Sequence, residues 1–370
     1  MPNDSVVGET IDTTNTGNVI NDVITNISGA SEDVIYTVIA ASDQGCVSDT
    51  ITVTVSICSE PIYSNAEPVT VCSGESLDID LSETLEDGSN AADGFLYTVS
   101  SSDSTAVAAA AARTDTSAAN ITDTYTNTSS SPVTITYTIT PHTDAGCVGD
   151  VFTVTVTVNP EPFLADNLDD TVCSGSDIGL VLSVGEGSAA ADSFDLVAIN
   201  PRGLTVDTSS TIGLITANDL SSDSYTNNGE NSDSVTYMIA PISADGCRGD
   251  TVSVTITVDP EVTVDAGEDE TICSTAEVAL SGATISGAGV SEGTWSTDGD
   301  GSFVDNADSG DSTFAGATTY IPGPNDRAGG EVVLTLTSDD PEGACGTAED
   351  SMTITINGVE CGTFPWTGNE

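Results

Sequence analysis

The chain has 370 residues, with 59 Asp and Glu against four Arg and no Lys, giving a formal net charge of −55. So acidic a chain has no basic surface for phosphate, which excludes nucleic-acid binding, and anionic membranes repel it. No apolar run approaches the ~20 residues that span a bilayer, so membrane insertion is excluded; isopeptide crosslinks, which need Lys, are excluded too.

In chain order, residues 1–60 carry Gly45-Cys46 and read as the second half of a repeat, because nothing before them matches the openings found later. Residues 61–160 form the first full copy. It opens with Val69-Thr-Val-Cys72-Ser-Gly and closes with two alternating runs, Val133-Thr-Ile-Thr-Tyr-Thr-Ile139 and Thr153-Val-Thr-Val-Thr-Val158. That period of two predicts strands with one buried face, and the intervening Gly146-Cys147 predicts a hairpin turn. The linker Asn159-Pro-Glu-Pro162 ends the copy, since Pro cannot donate to a ladder. Residues 161–260 repeat the plan from Val172-Cys173-Ser-Gly to Thr251-Val-Ser-Val-Thr-Ile-Thr-Val258. Residues 261–358 form a fourth, divergent copy, and 359–370 a tail with Cys361 and Trp366.

The spacing is regular. Cys46, Cys147 and Cys247 follow one another at steps of 101 and 100, as do Cys72, Cys173 and Cys273; Cys345 lies 98 beyond Cys247. Thr25-Asn26, Thr126-Asn127 and Thr226-Asn227 keep the same phase, and so do Tyr36, Tyr137 and Tyr237. A period near a hundred residues predicts whole domains in tandem. Short strands, Gly-rich turns and the lack of a 3.6-residue period predict an all-β fold of tandem sandwiches in an extended rod.

Nine cysteines at this spacing point to an oxidising, extracellular or cell-surface location, and the absence of any CxxC pair argues against zinc. Met1-Pro-Asn-Asp has no signal-peptide character, so the expectation is an internal piece of a longer protein or a processed product.

The fourth copy reads Val264-Asp-Ala-Gly-Glu-Asp-Glu-Thr-Ile-Cys273, then Gly293-Thr-Trp295-Ser-Thr-Asp-Gly-Asp-Gly-Ser-Phe303, Thr319-Tyr-Ile-Pro322 and Asp350-Ser-Met-Thr-Ile-Thr-Ile356. It resembles the PKD-like and Ig-like repeats of Bacteroidota surface adhesins, of the gliding-motility type exported by the type IX pathway. The second and third copies resemble the PKD-like form through Val-Cys-Ser-Gly and the closing Val-Asn-Pro or Val-Asp-Pro. The resemblance implies a surface polymer of Ig-like sandwiches. In an Ig-like sandwich the first strand and the last hairpin share a pole, which implies the disulfides Cys72–Cys147, Cys173–Cys247 and Cys273–Cys345. Each would add ~4 kcal/mol in the chain-entropy model. Trp295 is expected to pack on the last of them.

Cys46, Cys58 and Cys361 remain. Cys46 and Cys58 are held roughly 30 Å apart by the strand between them and should not pair. Two alternatives stay open: a fragment whose partner cysteines lie elsewhere, or chain-to-chain strand addition with Cys361 bonding Cys46 of the next copy. Asp298, Asp300 and Asp305 lie on a Gly-rich turn whose oxygens suit calcium, and so do the linker acids Asp166, Asp169, Asp170, Asp265, Glu268, Asp269 and Glu270. His142, the sole histidine, reads as a turn residue, and Asn26, Asn120 and Asn127 begin Asn-x-Ser/Thr sequons.

The expected function is non-enzymatic: a stalk or filament segment of an adhesin. Its partners would be copies of itself, further repeats of its parent, or surface glycans and proteins. The alternatives are a self-assembling fibre subunit and a carbohydrate-binding accessory region of a secreted enzyme.

Overall fold

The computed structural model describes residues 6–7, 19–26, 28, 30–87, 89–108, 113–116, 119–144, 146–304, 312–314 and 318–358. The chain divides into two compact units. The first comprises residues 1–162 with 187–190 and 245–247; the second comprises 163–186, 191–244 and 248–370.

In the first unit, the alternating segments of the second copy pair as expected. Val133–His142 lies antiparallel to Phe152–Asn159, with Tyr137 opposite Val154. Its other edge takes Gly94–Ser101, and Arg113–Thr116 closes that side. The opening strand Val69–Cys72 adds to the far edge of Phe152–Asn159, parallel to it, with Cys72 opposite Asn159. Alternation becomes burial: Ile135, Tyr137, Ile139, Val154 and Val156 are fully buried, while the intervening threonines stay partly exposed. A small ladder of Ile79–Asp80 with Asn120–Ile121 lies among the segments that cover this face. Tyr63, from the linker, stacks on Phe152 at 5.3 Å and meets Phe95 edge-on at 5.4 Å. Aromatic pairs of this kind add to what burial alone supplies.

The described strands of the first copy are the hairpin Glu32–Val38 with Ile51–Ile57 and the short ladder Val6–Val7 with Thr25–Asn26. Val38, Ile51, Val53 and Val55 remain exposed.

In the second unit the plan recurs twice. The third copy orders Asp170–Cys173, Val252–Asp259, Asp233–Ile242, Ser193–Asn200 and Gly213–Ile215 in one sheet. The fourth orders Glu270–Cys273, Glu349–Asn357, Glu331–Ser338, Gly293–Thr297 and Ser312–Phe314. The opening strand is again parallel to the closing one, with Cys173 opposite Asp259 and Cys273 opposite Asn357. Trp295 is fully buried beside Phe303 at 6.3 Å, a core position, but the Cys273–Cys345 disulfide expected to pack against it does not form, since Cys345 bonds Cys173. Among the described residues one short α-helix, Pro324–Gly329, and two single-turn 3-10 helices, Leu81–Thr84 and Asp219–Ser222, interrupt the all-β plan. Pro at the first turn of the α-helix is an ordinary helix start and left-handed Gly330 after its last turn an ordinary stop.

Candidate functional site: the cysteine framework

The parallel opening strand decides the disulfides. It sets Cys72 beside Asn159, at the far end of the closing strand, whereas Cys147 sits in the turn before that strand begins at Phe152. Eight strand residues, roughly 25 Å, separate the two poles, and a disulfide needs α-carbons within ~7 Å. The expected bonds Cys72–Cys147 and Cys173–Cys247 are therefore not made, and Cys345 is not bonded to Cys273. Instead Cys58 bonds Cys147 with α-carbons 6.1 Å apart, Cys72 bonds Cys247 at 5.5 Å, and Cys173 bonds Cys345 at 4.8 Å. Cys273 is also disulfide-bonded, and Cys46 is free and exposed. Cys361 and Trp366 lie outside the described residues.

Each of the three bonds Cys58–Cys147, Cys72–Cys247 and Cys173–Cys345 runs from one copy to the hairpin turn of the next. Cys58 obeys the same rule without an opening strand, because it directly follows the closing strand Ile51–Ile57 and occupies the place of Asn159, the neighbour of Cys72. The loops are interlaced. Cys72 lies inside the loop closed by Cys58–Cys147, and Cys173 lies inside the loop closed by Cys72–Cys247.

Local geometry supports the bonded turns. In the first unit Gly146 takes φ +84°, which favours glycine. In the second unit Asp259, buried, accepts from Ala344 N–H at 2.7 Å and Ser232 Oγ at 2.6 Å. Its carboxylate fills the space a Cβ on Gly343 would need, and Gly343 has φ +125°. Glycine is required there twice over.

The linkers carry a second recurring device. Asn65, Asp169 and Asp269 each accept, at 2.7 Å, from a closing-strand N–H: Thr153, Thr255 and Thr353 respectively. This device occupies two of the acids suggested for calcium. Of the turn set, Asp298 accepts from Val333 N–H at 2.9 Å, and Asp300 accepts from Asn325 N–H at 3.0 Å, capping the short helix. Asp305 lies outside the described residues. Among the described residues no group of three His, Cys, Asp or Glu is arranged to hold a metal.

The conserved phase of tyrosine and asparagine within the chain has a structural cause. Tyr137 Oη donates to Asp123 at 2.8 Å and lies 2.6 Å from Tyr125 Oη; Tyr237, Asp223 and Tyr225 repeat the arrangement at 3.0 and 2.9 Å. Burial, reinforced by these neighbours, pushes the Tyr137 and Tyr237 phenols far above their ordinary range. Asn127 Nδ2 donates to Ser131 O and Val158 O, and Asn227 does likewise to Asn231 O and Val258 O. Asn26 makes the same bonds to Ala30 O and Ile57 O. The sequons at Asn26 and Asn127 thus hold amides already committed to the main chain. His142 ends a strand opposite Gly94. The acceptor role of Asn65, Asp169 and Asp269 was missed in the sequence; Asp169 and Asp269 repeat at a step of 100, but Asn65 is out of phase with them.

No curated protein matches the chain. Among solved structures it is similar to the EC21-23 fragment of human CDH23, at 15% identity and TM-score 0.29, covering 80% of this chain and all of that one. It is also similar to mouse cadherin-23 EC22-24, at 15% identity and TM-score 0.26, covering 81% of this chain and all of that one. Extracellular domains 3–5 of Drosophila OTK align at 10% identity and TM-score 0.27, covering 81% of this chain and 97% of that one. At such scores the likeness adds nothing to the fold read from the sheets. The PKD-like domain description matches residues 1–61, 69–162 and 170–262, about two-thirds of the sequence in three tandem copies, and the chain belongs to the PKD-like domain family.

Proposed function

We propose that the chain is a load-bearing extracellular repeat segment, a stalk or filament piece of a surface adhesin of the kind its fourth copy resembles. The observation that carries this reading is the interlacing of the disulfides. A bond within one domain protects that domain alone. Staggered bonds from copy to copy pass tension around folded modules, so that opening one copy does not lengthen the chain freely. Structural disulfides of this sort belong to oxidising compartments. Tandem PKD-like repeats are typically non-enzymatic, and partners would be further repeats, glycans or proteins on a facing surface. The dense negative charge keeps such a polymer soluble and apart from its neighbours.

The test is single-molecule stretching of the full chain with and without reductant. Cys72–Cys247 alone shields 175 residues of sequence separation, a contour of up to ~600 Å at about 3.4 Å per residue. Reduction is expected to lengthen the fully unfolded chain by hundreds of ångströms. Equal contour lengths in both states would overturn the reading.

A further inference from the structure

The turn that carries free Cys46 is built like the bonded ones. Ser42 N–H donates to Cys46 O at 2.8 Å and Gly45 N–H to Ser42 O at 2.9 Å; Thr143, Cys147 and Gly146 give the same two bonds at the same distances. Cys46 N–H and Cys147 N–H each donate to the side-chain hydroxyl four residues earlier, both at 3.2 Å. Gly45 and Gly146 take φ of +78° and +84°. Isolated bridges flank the turns alike: Ala41 with Val47, His142 with Val148, Ile242 with Arg248. Three counterparts of Cys46 are bonded, at Cys147, Cys247 and Cys345, and each takes a cysteine from the pole of the preceding copy where its closing strand ends: Cys58 just after that strand, Cys72 and Cys173 on the opening strand beside it. Ser48 stands where Gly149 stands in the second copy, but Thr347 occupies that place in the fourth, and Cys345 is bonded all the same.

We propose that Cys46 is an acceptor for the closing end of another PKD-like repeat, whose unpaired cysteine occupies the place of Cys58 or Cys72. The inference rests on the structural reading above and adds a partner to it. The chemistry is thiol–disulfide exchange. The Cys46 thiolate attacks the donor cysteine, which arrives as a mixed disulfide with a small thiol such as glutathione. The new S–S bond joins the two repeats, the old one breaks, and the small thiol leaves as thiolate and takes up a proton. No net oxidation is required. Both partners are strongly acidic, so the encounter is favoured at high salt, where repulsion is screened.

The full chain can supply its own donor. Cys147→Ser frees Cys58, and Cys247→Ser frees Cys72; the second variant covers a failure of the first to fold. Each variant is incubated in glutathione redox buffer at high salt, run on non-reducing gels, and mapped by mass spectrometry of unreduced peptides. The strand Ile51–Ile57 keeps Cys46 and Cys58 of one chain apart, so a Cys46–Cys58 peptide reports a link between chains. The expected result is a ladder of oligomers in which Cys46–Cys58, or Cys46–Cys72, exceeds either symmetric pair by about tenfold, or ~1.4 kcal/mol of preference. Adding Cys46→Ser should abolish the ladder. Symmetric Cys46–Cys46 dimers, a statistical mixture, or a free Cys46 thiol in every folded variant would overturn the proposal. None of these outcomes bears on the stretching experiment, which reads bonds within one wild-type chain.

Discussion

The first and second copies share one pattern and differ in what covers it. Ile51, Val53 and Val55 hold the phase of Phe152, Val154 and Val156. The first three are 59%, 44% and 40% exposed, and their counterparts at most 2%. Both hairpins pair over seven residues in the same register. The hairpin itself is therefore a local product of alternation and turn. Its burial needs the opening strand, the Gly94–Ser101 strand and the segments around Ile79 and Ile121, which the second copy has. An apolar strand face is a capacity for packing, and its energy is realised only when a second layer arrives.

That contrast can be broken most strongly at paired core positions. Phe152→Ala should destabilise the second copy by about 3–5 kcal/mol, whereas Ile51→Ala should cost under ~0.5 kcal/mol. Hydrogen-exchange protection of Phe152–Asn159 and Ile51–Ile57, read locally, checks both. Equal losses would mean that the first hairpin is covered as well as the second.

The tyrosine network gives a smaller difference. Tyr137→Phe removes a buried hydroxyl held by Asp123 and Tyr125 and should cost ~1–3 kcal/mol. Tyr36 is only half-buried and donates to Asp22 at 3.1 Å, so Tyr36→Phe should cost less than about 1 kcal/mol. Urea unfolding monitored by exchange in each copy separates the two.

The fourth copy substitutes an acid-sensitive version, with the smallest effect. Burial would raise the Asp326 pKa, but hydrogen bonds from Tyr320 Oη, Gly323 N–H and Asp300 N–H outweigh it and hold the group below 3.8. Because the folded value is depressed, the stabilisation is complete above pH 3.8 and is lost as pH falls through the lower folded value. Protection of the Asn325–Gly329 amides should fall in that acid window, and Asp326→Asn should flatten the dependence. A wild-type profile that stays level down to strong acid would contradict this.

Much of the site was visible in the cysteine spacing but not its wiring. The phase of Cys46, Cys147, Cys247 and Cys345 marks one turn, and that of Cys72, Cys173 and Cys273 marks one strand end. Asn26, Asn127 and Asn227 were visible as a repeat, although their bonds to the closing strand's last carbonyls were not. Asp298 and Asp300 looked like cation ligands because composition alone cannot distinguish a carboxylate facing solvent from one capping a backbone N–H.

By itself the sequence determined the all-β class, the tandem copies, the hairpins and the inward face, because these follow from a period of two and from turn residues a few positions apart. The tertiary structure decided which sulfurs meet. Cys72 and Cys147 would share a pole if the opening strand ran one way and lie a strand's length apart if it runs the other. Only its parallel pairing with the distant closing strand, absent from any local window, settles the direction.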